Sequence, residues 1–113
     1  MRKARILGGV IVAALGAYGL TVYAQDKHPS DEFIQYCAKC HGEDGKAQTA
    51  RGKQLKARDF TDQEFQSDES DADLIESVTK GKDDMPPFGK KLSKEQIESL
   101  VKNDVRGFAK KKQ

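Results

Sequence analysis

The chain of 113 residues has few of the side chains that hold together small proteins without a large core: it contains two cysteines and two histidines, Cys37, Cys40, His28 and His41. Two cysteines cannot build a disulfide framework. A structural zinc site needs four Cys or His ligands in paired spacings, and adjacent Cys40 and His41 cannot easily serve one tetrahedral ion. No segment shows convincing period-two alternation of apolar and polar residues, so β-strands are not expected either.

The scarce residues are concentrated in one motif, because Cys37, Cys40 and His41 form the sequence Cys-Ala-Lys-Cys-His. This is the attachment motif of a c-type haem. A redox-active or structural disulfide between the cysteines is an alternative, but that motif needs a βαβ setting. We predict one haem c bound covalently through Cys37 and Cys40, with His41 as the proximal iron ligand.

A second segment, Asp84-Met85-Pro86-Pro87-Phe88-Gly89, supplies a candidate for the distal ligand. The Met85 thioether is a soft donor that suits haem iron and raises its reduction potential, and Pro86 restricts Met85 to an extended backbone. The only other methionine is Met1. Three alternatives stay open: Met85 fills core space, His28 ligates the iron instead, or the sixth position is open.

The first 24 residues differ in composition from the rest of the chain. A basic start is followed by an apolar run from Ile6 to about Tyr23, and Ala24 precedes Gln25. This pattern predicts a signal peptide cut after Ala24. A run of this length also approaches the ~20 residues that span a bilayer, so residues 1–24 are a signal peptide or an uncleaved N-terminal membrane anchor. A signal peptide and an anchor both predict export to the periplasm or beyond. An uncleaved anchor would also tether the protein to the inner membrane.

Residues 25–113 are the expected haem domain, and three helices can be predicted within it. The first begins at Ser30 and runs into the cysteines, because Ser30 is an N-cap residue followed by acidic residues. The stretch from Glu43 to Asp59 is predicted to be polar loop. The second helix covers about Asp71 to Lys80, with Ser70 or Asp71 as its cap. The third starts at Ser93, whose spacing to Gln96 is that of a capping box.

From about Phe33 to Phe108 the chain resembles a class I cytochrome c of the small bacterial monohaem type. The resemblance implies an all-α fold in which three main helices and loops wrap around one haem, with one haem edge exposed for electron transfer. Besides the attachment motif, the segments that carry the resemblance are Asp44-Gly45-Lys46, Asp73-Leu74-Ile75, Lys80-Gly81-Lys82, Met85-Pro86-Pro87-Phe88, Leu92-Ser93 and Val105-Arg106.

The chain departs from this family in two places. The family commonly has a proline whose carbonyl accepts a hydrogen bond from the proximal histidine, but no proline lies between His41 and Met85. The acceptor for His41 is therefore unassigned, with Ala50 and Ala57 in the region where it is expected. The family's last helix often carries an aromatic residue that packs on the first helix. This chain has Asn103 and Asp104 there, and Phe108 is our candidate for that role.

Charge is distributed unevenly along the chain. The formal net charge is +2, and removal of the three basic residues in the leader leaves 17 basic and 18 acidic residues, or −1. This balance does not indicate nucleic acid as a partner. The stretch 59–79 holds eight acidic residues and no basic one, whereas 80–113 holds ten basic and five acidic residues. Such a run is either a solvated face or a dipole that orients docking, and Lys82, Lys90 and Lys91 are candidates for a rim around the haem edge.

The expected function is that of an exported monohaem electron carrier that passes single electrons between redox protein partners and transforms no substrate. We expect a monomer that meets a membrane only if residues 6–23 stay as an anchor. Two alternatives stay open. The chain is a permanently bound haem subunit of a dehydrogenase or terminal oxidase complex, or it is a ligand-binding or peroxidatic haem protein with an open sixth site.

Overall fold

The computed structural model describes residues 27–109, and within this range the chain is helical and has no β-strand. The predicted leader, residues 1–24, lies outside the described residues. The helices are α1 (Asp31–Tyr36), α2 (Ala38–His41), α3 (Ala50–Leu55), α4 (Gln63–Asp68), α5 (Asp71–Lys80), α6 (Lys94–Ser99), a π-helical segment (Leu100–Val105) and α7 (Arg106–Ala109). The all-α prediction is confirmed.

The first predicted helix is divided in two at the attachment motif. The Ser30 hydroxyl accepts a hydrogen bond from the Phe33 N–H, which confirms the predicted cap of α1. Cys37 ends α1 and precedes α2, with φ −119° and ψ −31°. The predicted helix does run into the cysteines, but it is interrupted at the single residue Cys37. Apolar spacing did not reveal this interruption.

The predicted polar loop from Glu43 to Asp59 contains helix α3, which is a correction. The Thr49 hydroxyl caps α3 by accepting from the Gly52 N–H, and the helix ends at Lys56 in the left-handed conformation. Gly52 is the one buried residue of α3. Helix α4 was not predicted either; Asp62 caps it and Phe65 is its one buried residue. Helices this short carry too little apolar periodicity to be recognised.

The two later helices begin where they were predicted to begin. Helix α5 spans Asp71–Lys80 with Ser70 as N-cap and Gly81 as C-cap. The capping box between Ser93 and Gln96 is formed in both directions at the start of α6. The predicted third helix then continues through the π-helical segment, which changes the register of the residues that follow it.

Aromatic rings join the first and last helices in the core. Phe33 on α1 and Phe108 on α7 are each 1% exposed, and their ring centroids are 5.3 Å apart. Phe108 therefore packs on the first helix, as the sequence suggested. A Cβ on Gly45 would lie 2.7 Å from the Phe108 ring, and the Gly45 φ is +76°, so only glycine fits at that position.

Candidate haem site

The attachment motif lies along one wall of a cavity of about 700 Å³. Cys37, Cys40 and His41 line the cavity, and Gly42, with φ +82°, ends α2 directly after the histidine. The Gly42 N–H donates to the Ala38 carbonyl, which closes this short helix. The two thiols and the imidazole are thus presented to the same cavity by five consecutive residues, Cys37 to His41.

Met85 lies in the loop that follows α5 and lines the same cavity. The loop folds back on α5, because the Phe88 N–H donates to the Val78 carbonyl at 2.8 Å and the Gly89 N–H donates to the Thr79 carbonyl at 3.0 Å. Met85 also forms an isolated antiparallel bridge with Lys82. These bonds fix the position of the methionine relative to α5.

His28, the competing candidate ligand, packs against Asp104 and Phe108. It is not among the lining residues; its Nε2 lies 3.1 Å from the Asp104 carbonyl oxygen, and its ring meets the Phe108 ring edge-on at 4.6 Å. The structure therefore brings together Cys37, Cys40, His41 and Met85, and leaves out His28.

His41 is held by a hydrogen bond and by a ring stack. Its Nδ1 lies 3.0 Å from the Arg58 carbonyl oxygen. Because a carbonyl oxygen only accepts, Nδ1 carries the proton and Nε2 keeps its lone pair. The Phe60 ring stacks on the imidazole with centroids 4.2 Å apart and planes 16° apart. The imidazole is thereby fixed in the tautomer that offers Nε2 to a metal.

The acceptor that the sequence left unassigned is therefore Arg58, next to the candidate Ala57. A backbone carbonyl has no side-chain signal, so the residue type could not have identified it. Phe60 was also missed, although an isolated aromatic residue after a long polar stretch was a usable signal.

Burial controls the protonation of the two groups at this wall. Desolvation lowers the pKa of His41 below 6.5, against the opposing effect of the Arg58 hydrogen bond, so the neutral imidazole is favoured. Burial, followed by the charges of Asp104 and Glu32, raises the pKa of the Cys37 thiol to about 12. Both groups are uncharged at neutral pH in the haem-free chain.

The remaining walls suit a flat apolar group. Five aliphatic side chains line the cavity together with three phenylalanines: Leu55, Leu74, Val78, Val101 and Val105, and Phe60, Phe65 and Phe88. The volume lies within the range of about 300–1,000 Å³ that small-molecule and cofactor pockets have. A neutral imidazole nitrogen, a thioether and two thiols are the donor set that a c-type haem requires, so the residues fit that group.

Charged residues surround the mouth of the cavity. Lys82 and Lys91, two of the three predicted rim lysines, line it, and Lys90 does not. Asp83 and Asp84 line it as well, so the rim carries both signs. The acidic stretch 59–79 falls on α4, α5 and the segments beside them, where most of its carboxylates are exposed.

Short helices around an apolar cavity, with the attachment motif on one wall and a methionine in the loop after α5, define a class I cytochrome c. Residues 24–102 match the family described as cytochrome c oxidase, cbb3-type, subunit III, and the chain belongs to this family. The resemblance found in the sequence is confirmed.

Solved structures support the same class. The KustC0563 c-type cytochrome is 42% identical to this chain, with 70% of this chain and 94% of that one covered and a TM-score of 0.65. A tyrosine-to-phenylalanine variant of Kustc0563 gives 44% identity, 68% and 93% coverage, and a TM-score of 0.63. No curated protein gives a significant match. Between residues 27 and 109, no helix has the length and apolar character needed to cross a membrane.

Proposed function

We propose that this chain is an exported monohaem electron carrier that holds one haem c through Cys37 and Cys40, with His41 and Met85 as the axial ligands of the iron. The observation that carries the proposal is that these four side chains line one apolar cavity. When bound, the haem supplies one-electron Fe(III)/Fe(II) chemistry.

The protein's own residues fix the properties of such a site. The Arg58 carbonyl and the Phe60 ring hold the His41 imidazole in one orientation. The Met85 loop is tied to α5 by backbone bonds, so the sulfur can stay in place when the charge on the iron changes. The apolar walls disfavour water in the cavity, which favours electron transfer with little rearrangement.

The ligand assignment is tested by replacing each proposed axial ligand in the exported protein. His41→Ala should give no stable holoprotein, because the buried imidazole is the proximal donor. Met85→Ala should keep covalent haem, lower the reduction potential and let the ferrous form bind carbon monoxide. Met85→Leu is the matched control for packing, since it keeps the volume and removes only the sulfur.

The outcomes separate the carrier from a haem protein with an open sixth site. If the carrier proposal holds, the parent protein shows the methionine-to-iron charge-transfer band and both Met85 variants lose it. If the parent protein lacks this band and binds carbon monoxide readily, Met85 is not a ligand and the open-site class is correct.

The partners are proposed to be redox proteins that dock at the cavity mouth. Lys82 and Lys91 lie there and are exposed, and complementary charge raises encounter rates in a salt-dependent way. Reduction of the protein by an anionic reagent should slow as ionic strength rises, and Lys82→Ala should slow it more than Lys102→Ala, which removes an exposed charge from the π-helical segment. Reduction rates that do not depend on ionic strength would contradict the proposal that Lys82 and Lys91 attract the redox partner.

A second candidate function is that of a haem subunit bound permanently to a larger complex. The match to a family described as an oxidase subunit favours this alternative. Affinity purification of the tagged chain from its membranes distinguishes the two cases: a free carrier elutes alone, and a subunit brings partner chains at fixed stoichiometry.

A further inference from the structure

Asp104 is a buried carboxylate that the electron-carrier function does not by itself require. It is 2% exposed, and with His41 it is one of two buried polar residues among those that the structure describes. It stands where the resembling family often has an aromatic side chain, a role that Phe108 fills here. A buried acidic side chain needs hydrogen-bond partners to offset its desolvation.

Those partners come from the start of the helix that leads to the cysteines. The Ser30 N–H donates to Oδ1 of Asp104 at 2.8 Å, and the Ser30 hydroxyl donates to Oδ2 at 2.8 Å. The same hydroxyl accepts from the Phe33 N–H in the first turn of α1. The carboxylate is therefore fixed at the N-terminus of α1, and its negative charge is favoured there.

This position places the charge close to the haem-attachment residues. Cys37 follows Ser30 by seven positions, which corresponds to about 10 Å along a helix. The Asp104 charge is also the second cause, after burial, of the raised pKa of the Cys37 thiol. Val101 and Val105, which flank Asp104 in the π-helical segment, both line the cavity.

We propose that the buried Asp104 carboxylate, held by Ser30, lowers the reduction potential of the haem by stabilising the ferric state. The inference rests on the proposed function, since it requires haem in the cavity. Reduction adds one electron from an external donor to Fe(III) and gives Fe(II), so the iron centre loses one positive charge and its attraction to the carboxylate weakens. Water and salt screen this attraction little, because the carboxylate is buried.

The test is a spectroelectrochemical titration of the holoprotein and its variants at one pH and one ionic strength. Asp104→Asn keeps the shape of the side chain and one acceptor oxygen, and it should raise the potential. The matched control is Glu95→Gln, which removes the same charge from an exposed position of α6 and should give a smaller shift.

A second variant separates the charge from a merely structural role. Ser30→Ala keeps the carboxylate and removes one hydrogen bond that moderates its charge, so the potential should fall. If Asp104 only held Ser30 in place, Asp104→Asn and Ser30→Ala would shift the reduction potential in the same direction. Thermal unfolding of each variant reports the loss of stability separately.

Each measured reduction potential either supports or overturns the proposal. A rise in Asp104→Asn larger than that of the control supports the proposal, and a shift no larger than the control overturns it. If Asp104→Asn yields no holoprotein, Ser30→Ala decides: a lower potential supports the proposal, and an unchanged or higher one overturns it. A parent protein without haem would contradict the proposed function itself, which is a different result.

Discussion

Gly52→Ala is expected to push helix α3 away from the haem-attachment segment. A Cβ at Gly52 would lie 2.1 Å from the Cys40 carbonyl oxygen and 3.0 Å from the Ala47 carbonyl oxygen. Both neighbours are backbone atoms, so neither can move aside as a side-chain tip can. The Thr49 hydroxyl donates toward the carbonyls of Lys39 and Cys40 at 2.7 and 2.9 Å. It therefore also joins the start of α3 to the haem-attachment segment.

The size of the effect follows from these contacts. Overpacking of this kind costs about 1–3 kcal/mol, and weakening the Thr49 hydrogen bond adds about 1 kcal/mol. The sum of about 2–4 kcal/mol corresponds to a fall of at least about 8 °C in the unfolding midpoint, since 1 kcal/mol shifts a domain of this size by about 4–8 °C.

The assay is thermal unfolding of the holoprotein followed by circular dichroism. Lys53→Ala, an exposed change in the same helix, is the control and should stay within about 0.5 kcal/mol of the parent. In a helix without the close contact, Gly→Ala would stabilise by about 1 kcal/mol. If the unfolding midpoint of Gly52→Ala equals or exceeds that of Lys53→Ala, the packing described for α3 is refuted.

Three further predictions concern the core and the cofactor. With Cys37 and Cys40 both changed to Ala, the chain should be poorly folded, because an apolar core of this size is marginal; a native-like helical circular dichroism spectrum would contradict this. Phe108→Ala should lower the free energy of unfolding by about 3–5 kcal/mol, as measured by urea titration, and a change below about 1 kcal/mol would show that the ring contacts contribute little. Because burial lowers the pKa of His41, the unfolded chain binds more protons than the folded chain below about pH 6.5. Unfolding of the holoprotein, in which the imidazole must stay neutral to bind iron, should therefore show lower stability at about pH 5 than at about pH 8, and higher stability at the acidic pH would contradict the assignment.

The sequence was most informative where chemistry or capping depends on side-chain type. The attachment motif and Met85 could be selected from the sequence because few residue types can bind haem iron, and the structure places them on the walls of one cavity. Ser30, Ser70 and Ser93 marked the starts of three helices, since a hydroxyl before an acidic or apolar-periodic stretch satisfies free backbone N–H groups.

Features that depend on backbone geometry could not be predicted in this way. The Arg58 carbonyl that orients His41 belongs to the main chain, and any residue type supplies the same atom. The interruption at Cys37 and the π-helical segment change the helical register of the residues that follow them. The spacing of apolar residues in the sequence does not show either change. The partnership of Asp104 with Ser30 joins positions 74 residues apart, and no local signal connects them.

The most direct test of covalent haem attachment is the intact mass of the purified exported protein, combined with its pyridine haemochrome spectrum. The proposed function predicts the mass of the polypeptide plus one haem and the spectrum of a haem attached by two thioether bonds. The same mass shows whether residues 1–24 are present. A colourless protein with the mass of the polypeptide alone would contradict the proposed function.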